Sequence, residues 1–268
     1  TLVGRRRLRL DDTIGERLPE LPKAWHTVTL AQALQHTSGL PEYSSSPGAR
    51  KQIETHPLAP VQPSTLISWV ADQELRFAPG SKYQYSNTDN IVAALFAEKA
   101  TGLSYERALH ALVLDPLRLR GTSLPAGYRM PLPYVHGYSG KNDHSEVVNP
   151  TLAWASGGIV STPLDLTRFI RWYAPRARGP FRPGESDPAG PGANDAGLAI
   201  FRYRTPCGTV YGHTGNFFGY TAFIAATRNG RRSVTIQAST QLSKGTGDPR
   251  AFQALCRAFL LGVCSAMS

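Results

Sequence analysis

The chain has 268 residues, 41% hydrophobic and 18% charged, an ordinary globular balance that suits one large domain or two lobes sharing a core. No apolar run approaches the roughly 20 residues a membrane-spanning helix needs, so no transmembrane segment is expected, and no solenoid or propeller period recurs. The formal net charge of +10 comes from 23 Arg and 6 Lys against 19 Asp and Glu. Such a balance can mark a polyanion binder, but an Arg-rich solvated surface is the plainer reading. The densest cluster, GRRRLRLDD (4–12), runs straight into acidic residues, and no nucleic-acid-binding motif is present. No nucleic-acid partner is expected, and an anionic cell-wall polymer is the weaker alternative.

In chain order, TLAQALQHTSGLP (29–41) predicts a short helix, with Thr29 and Gln32 as a capping box and Gly39 and Pro41 closing it. Residues 42–62 are polar and rich in Pro and Ser, hence loop. Helical periods return over 63–75, 88–102 and 104–114, and 124–153 lacks a period. STPLDLTRFIRWY (161–173) predicts a helix with Thr162 as cap and Pro163 in its first turn. Residues 174–195 read as a flexible Pro/Gly-rich loop. Strands follow over 197–204, 209–215 and 219–240, with Asn229-Gly230 as a type I′ hairpin signal. Asp248-Pro249 opens a last helix to about residue 263. The order predicts an α+β fold. Residues 15–159 form a mostly helical lobe, and 1–14 with 160–268 form the sheet lobe of one continuous catalytic domain.

There is no G-x-S-x-G elbow, no H-E-x-x-H, no P-loop and no metal-ligand spacing, so neither metal nor cofactor is expected. The cysteines, Cys207, Cys256 and Cys264, are odd in number and allow at most one internal bridge.

Three stretches stand out together: HTSGLP (36–41), Tyr85-Ser86-Asn87 before a helix, and His213-Thr214-Gly215 on a strand. With FAPGSKYQYSNTDNIVAALFAEKATG, WASGGIVSTPLDL and VYGHTGNFFGYTAFIAATRNGRRSV, the chain resembles the serine β-lactamase and penicillin-binding superfamily over nearly its whole length. The resemblance is to the branch of class C β-lactamases and D-alanyl-D-alanine carboxypeptidases. It implies a β-lactamase/transpeptidase-like fold and an acyl-enzyme formed on a serine.

The resemblance assigns the proton-transfer role to Tyr85 and the grip on a substrate amide carbonyl to Asn87, which could also cap a helix. Ser86 reads as a turn serine. His213 joins the catalytic set as the polar group beside the scissile bond, and Thr214 and Gly215 form the strand edge that pairs with an extended substrate. The N–H of Asn216 is expected to form half of an oxyanion hole. Phe201, Phe218 and Trp154 are expected to touch substrate, with Phe201 standing where a carboxylate-binding Arg sits in the carboxypeptidase. The family bridge implies a Cys207–Cys264 disulfide, with Cys256 a buried thiol, in a secreted protein.

One departure from the family outweighs the others. None of the six lysines has Ser three residues before it, so Ser-x-x-Lys is absent, and the chain reads as N-terminally truncated and inactive alone. A monomer acting on a β-lactam, D-peptide or ester is expected. A pseudoenzyme that keeps the substrate groove is the alternative.

Overall fold

A computed structural model of the chain describes residues 1–186, 189–243 and 247–267. Residues 187 and 188 of the expected flexible segment lie outside the described residues. The chain divides into two compact units. The first holds Thr1–Arg120, Leu124–Tyr128 and Asn149–Ile159, and the second Gly121–Ser123, Arg129–Val148 and Val160–Ser268.

The first unit is helical: α1 (Ile14–Arg17), α2 (Leu30–Leu34), α3 (Pro47–Thr55), α4 (Pro63–Ser68), α5 (Asn87–Thr101) and α6 (Tyr105–Leu109). Its spine is α5, whose Ile91, Val92, Ala94 and Phe96 are buried. The helix closes at Gly102, in the left-handed conformation (φ 71°) that favours a residue without Cβ. The Thr29–Gln32 capping box forms as the sequence predicts. The helix it starts ends at Leu34, and Gly39 follows at φ 79°, where a Cβ would overlap the Phe77 carbonyl. Residues 42–62 are not all loop. Ser46 caps α3 and Pro47 fills its first turn, a start signal that the polar composition hides.

Two boundaries differ from expectation. Residues 1–14 belong to the helical unit rather than to the sheet. Leu8 and Ile14 are buried there, Leu10 and Asp12 carbonyls accept from the Ala31 and Leu30 amides at 2.9 Å, and Arg7 donates to the Ala100 carbonyl. Residues 129–148 belong to the sheet unit, where Tyr138 bridges to Thr240 and the Tyr220 hydroxyl donates to the Val135 carbonyl at 2.8 Å.

The second unit has a small hairpin, β1 (Tyr138–Ser139) and β2 (Asn142–Asp143), and an antiparallel six-stranded sheet. The sheet runs β3 (Arg182–Pro183), β4 (Ala193–Ala196), β5 (Phe201–Thr205), β6 (Gly208–Phe217), β7 (Tyr220–Ala226) and β8 (Ser233–Ala238), in sequence order. Part of the expected loop 174–195 thus supplies the edge strand β3 and most of its neighbour β4, both too short to show a period of two.

Alternation along β7 sends successive side chains to opposite faces. Ile224 and Ala226 meet Ile170, Ala174 and Ala177 from α7 (Pro163–Tyr173) and the turn after it. Phe223 meets Phe252 and Phe259 of α8 (Pro249–Met267), at ring distances of 6.5 and 5.6 Å. By length and composition α8 could also cross a membrane, which the sequence reading did not anticipate. Its Phe252, Leu255, Phe259 and Val263, spaced on one helical face, are buried in the unit.

The β7–β8 hairpin is not a two-residue turn. Ala226 pairs with Ser233, and of Asn229 and Gly230 only Gly230 has positive φ, 68°. The Asn229 side chain instead accepts from the Arg231 amide and the Thr227 hydroxyl, which stabilises a longer loop.

Candidate active site

The singled-out residues fall in both units. Tyr85, Asn87 and Trp154 lie in the helical unit, and Phe201, His213, Thr214, Gly215, Asn216 and Phe218 in the sheet unit.

In the helical unit an extended stretch carries Tyr85 into α5. Its backbone is fixed by the Gln84 amide, which donates to the His36 carbonyl at 2.9 Å. The half-buried Tyr85 ring lies on the His36 imidazole, centroids 4.1 Å apart. His36 is itself buried, sits at φ 55°, and places Nδ1 3.0 Å from Asp89 Oδ2. Burial pushes the Asp89 carboxyl above the usual carboxylate range, with the hydrogen bond and charge of His36 opposing the shift.

Asn87 is not the helix cap. Ser86 holds that position without a side-chain capping bond, and Asn87 is the first helical residue. The cap comes from Glu42, whose Oε2 accepts from the Asn87 amide at 2.6 Å while Oε1 accepts from the Ser44 amide at 2.8 Å. A carboxylate at a helix N-terminus is favourable, because it meets orphan N–H groups and the positive end of the dipole. The Asn87 side chain is thereby left to another partner, Ser44, to whose Oγ its Nδ2 donates at 3.2 Å.

Sequence reasoning missed Glu42 and Asp89. Each acts on a residue more than forty positions away, and no local spacing records that. Trp154 was expected to touch substrate. It is 3% exposed, donates Nε1–H to Glu106 at 2.9 Å and packs its ring on Tyr105, so it is a core residue of its unit.

In the sheet unit β6 carries the His-Thr-Gly run. Its ladder with β5 ends where Phe201 meets Gly212, whereas its ladder with β7 continues to Phe217. From Gly215 to Phe217 the named-strand partner is therefore β7 alone. Gly215 is exposed, Thr214 is 6% exposed, and His213 is half-buried with Nδ1 against the Thr214 carbonyl. The Asn216 Oδ1 is buried with no hydrogen-bond partner among the described residues. Phe218 is half-buried with its ring 5.3 Å from Phe217.

Phe201, also expected to touch substrate, is buried as well. It is 1% exposed, between the rings of Tyr203 and His213 at 6.4 and 5.1 Å. Alternation turns it towards the core, where its ring packs against His213. Arg202 and Arg204 lie on the other face of β5 and pair with Asp195 at 2.8 and 2.6 Å. Cys207, in the β5–β6 turn, is bonded to Cys264 near the end of α8, and Cys256, expected to be buried, is half-buried and lies outside the bridge. Among the described residues no three His, Cys, Asp or Glu side chains gather as a metal site.

Comparison with known proteins fits this geometry. A D-stereospecific amidohydrolase from Streptomyces sp. superposes with a TM-score of 0.82 at 26% identity, over 97% of this chain and 82% of that one. A β-lactamase of Escherichia coli K12 is 28% identical over 172 residues, 63% of this chain and 42% of the relative. The esterase EstB of Burkholderia gladioli is 32% identical over 192 residues, 59% of this chain and 48% of the relative. The chain thus spans less than half the length of these two curated relatives. The family described as Beta-lactamase matches residues 1–257, nearly the entire chain. With that match, an antiparallel sheet flanked by helices and the three motifs in order, the chain belongs to the β-lactamase family.

Proposed function

We propose that this chain is the substrate-recognising part of a serine hydrolase that opens amide or ester bonds through an acyl-enzyme. The serine Oγ attacks the carbonyl carbon, and Tyr85 takes the hydroxyl proton and returns it to the leaving nitrogen or oxygen. Asn87 Nδ2 grips the amide carbonyl of the substrate. The exposed stretch of β6 at Gly215 pairs with its backbone, and the Asn216 N–H serves the oxyanion. Water then releases the acyl group, with Tyr85 again moving the proton.

The observation that carries this reading is Gly215–Phe217, a strand stretch laddered on the β7 side, with a buried unpartnered amide oxygen at Asn216. The substrate side is read as an amide, an ester or a capped D-peptide with a neutral leaving group. Arg202 and Arg204 are engaged by Asp195, and no other guanidinium of β5 is available for a free carboxylate. The likeness to a D-stereospecific amidohydrolase and to an esterase supports the same side of the superfamily. The Cys207–Cys264 bridge supports an oxidising, secreted setting, and a monomer completes the reading.

The acylating serine is not supplied by a Ser-x-x-Lys in these residues. The test is a labelled penicillin followed by peptide mass spectrometry. No adduct is expected on these 268 residues alone, and a serine adduct is expected once a Ser-x-x-Lys segment is supplied. An adduct on any residue of the chain alone would overturn the assignment. The second reading is a binding protein that keeps the substrate groove and holds substrate without turnover. Reversible ligand binding with no acylation, in a protein carrying every family segment, would establish that instead.

A further inference from the structure

The positive charge is unevenly divided. The sheet unit holds 15 of the 29 Lys and Arg but only 7 of the 19 Asp and Glu, whereas the helical unit holds 14 and 12. Within the sheet unit six exposed arginines gather where the β7–β8 hairpin meets the end of α7. Arg171, Arg176 and Arg178 lie on the helix end and the turn after it, and Arg228, Arg231 and Arg232 lie in the hairpin. The two pieces are pinned together. Arg171 Nε donates to the Gly230 carbonyl at 2.9 Å, and a Cβ on Gly230 would overlap the Arg171 carbonyl and stand 3.0 Å from Pro175 Cγ. The Arg178 carbonyl accepts from the Leu198 amide at 3.0 Å, and the Tyr173 hydroxyl donates to the Leu198 carbonyl at the same distance.

The side-chain partners of these arginines are neutral. Arg176 lies over the Trp172 ring at 4.6 Å, Arg228 over Tyr211 at 5.0 Å, and Arg232 donates to the Ala266 carbonyl at 2.7 Å. Carboxylates of the unit are engaged elsewhere: Asp165 with Arg168, Asp195 with Arg202 and Arg204, and Glu146 with Arg129. Among the described residues none of the six has an ion-pair partner. Like charges concentrated without counter-charges repel and destabilise the compact state, so a solvated surface alone gives no reason to gather them.

We propose that this patch docks the sheet unit onto anionic phospholipid headgroups at a membrane surface. Guanidinium groups bind phosphate through two parallel N–H bonds, and clusters of four to eight basic residues match the field of an anionic leaflet. Trp172 and Tyr211 each have an arginine over the ring, and Tyr173 stacks on Trp172, so these rings are already occupied and offer no stacking platform for nucleobases. The charges form a compact cluster around one hairpin rather than a track along a groove, which fits a plane of small headgroups better than a linear polyanion.

The test is co-sedimentation of the chain with phosphatidylcholine vesicles containing about 30% phosphatidylglycerol, at about 50 and 300 mM salt. Binding is expected at low salt, with a fall of at least about tenfold at high salt and none on pure phosphatidylcholine. Arg228→Gln/Arg231→Gln/Arg232→Gln should weaken binding by at least about tenfold. Arg5→Gln/Arg6→Gln/Lys51→Gln, which removes the same charge from exposed sites of the helical unit, should change it by less than about twofold. If circular dichroism shows the first triple to be unfolded, Arg176→Gln/Arg178→Gln supplies the comparison. No binding to the anionic vesicles would overturn the proposal. So would equal losses in the two sets of variants, or capture of soluble inorganic polyphosphate by a chain that ignores the vesicles.

Discussion

The His36 imidazole stacks on the Tyr85 ring, centroids 4.1 Å and planes 30° apart, and is held from behind by Asp89 at 3.0 Å. Removing the imidazole leaves a fully buried carboxyl without its hydrogen-bond partner, so His36→Ala should cost about 1–3 kcal/mol in urea unfolding. A loss below about 1 kcal/mol would mean that the pair contributes little. Asp89→Asn probes the charge separately. Burial raises the Asp89 carboxyl pKa in the folded state, so the proton is held more tightly there than in the unfolded chain. That contribution is full below about pH 4 and is lost as pH rises through the raised folded value. The stability advantage of the native chain over Asp89→Asn should therefore shrink between acid and neutral pH. An advantage that widens over that window would contradict the burial argument.

Tyr85→Phe keeps the ring on His36 and removes only the hydroxyl. In a form of the protein that acylates, the acylation rate should fall by a factor on the order of 10²–10⁴ while folding stays intact. Glu42→Ala should act through Asn87, because it strips the carboxylate from the start of α5. It is expected to cost about 1 kcal/mol of stability and to weaken substrate binding more than the acylation step. Native acylation by Tyr85→Phe would reduce Tyr85 to a structural side chain.

What the sequence shows and hides follows from range. Thr29 with Gln32, Thr162 with Pro163 and Asp248 with Pro249 act on their own neighbours, and each helix start appears where those residues place it. The His-Thr-Gly strand was legible because its motif is contiguous. That its ladder with β5 stops at Gly212 depends on where β5 begins, and no residue of β6 encodes that. The burial of Phe201 and Trp154 is hidden for the same reason. An aromatic near a motif looks the same in sequence whether it faces a ligand or the core, and tertiary packing put both inside.

The Cys207–Cys264 bridge closes a loop of 57 residues between the β5–β6 turn and α8. Chain-entropy arithmetic for such a loop gives about 4 kcal/mol. Cys207→Ser or Cys264→Ser should lower stability by up to about that amount and make unfolding insensitive to reductant. Cys256→Ser should stay within about 1 kcal/mol, because the thiol is half-buried and forms no bridge. Peptide mapping that joined Cys207 to Cys256 would overturn this assignment and remove the support for an oxidising setting.

Gly212 and Gly215 stand three residues apart on β6 for different reasons, and substitution separates them. A Cβ on Gly212 would overlap the Ile224 carbonyl and lie 2.8 Å from Ala225 Cα, both main-chain atoms of β7. Backbone cannot yield without opening the ladder, so Gly212→Ala should destabilise by about 3 kcal/mol or more. A Cβ on Gly215 would meet only Ala222 Cβ, at 3.9 Å, an ordinary contact. That residue is exposed and its φ is not positive, so nothing in the fold requires glycine there. Valine suits a strand, and Gly215→Val should leave thermal stability within about 0.5 kcal/mol. If the Gly215 stretch of β6 receives an extended substrate, the same change should weaken binding of a D-peptide ligand by at least about tenfold, because the new methyl groups stand where the ligand backbone approaches. Calorimetric binding beside thermal unfolding reads both effects in one protein. A Gly215→Val chain that is stable and binds as well as the native one would remove β6 from the substrate groove.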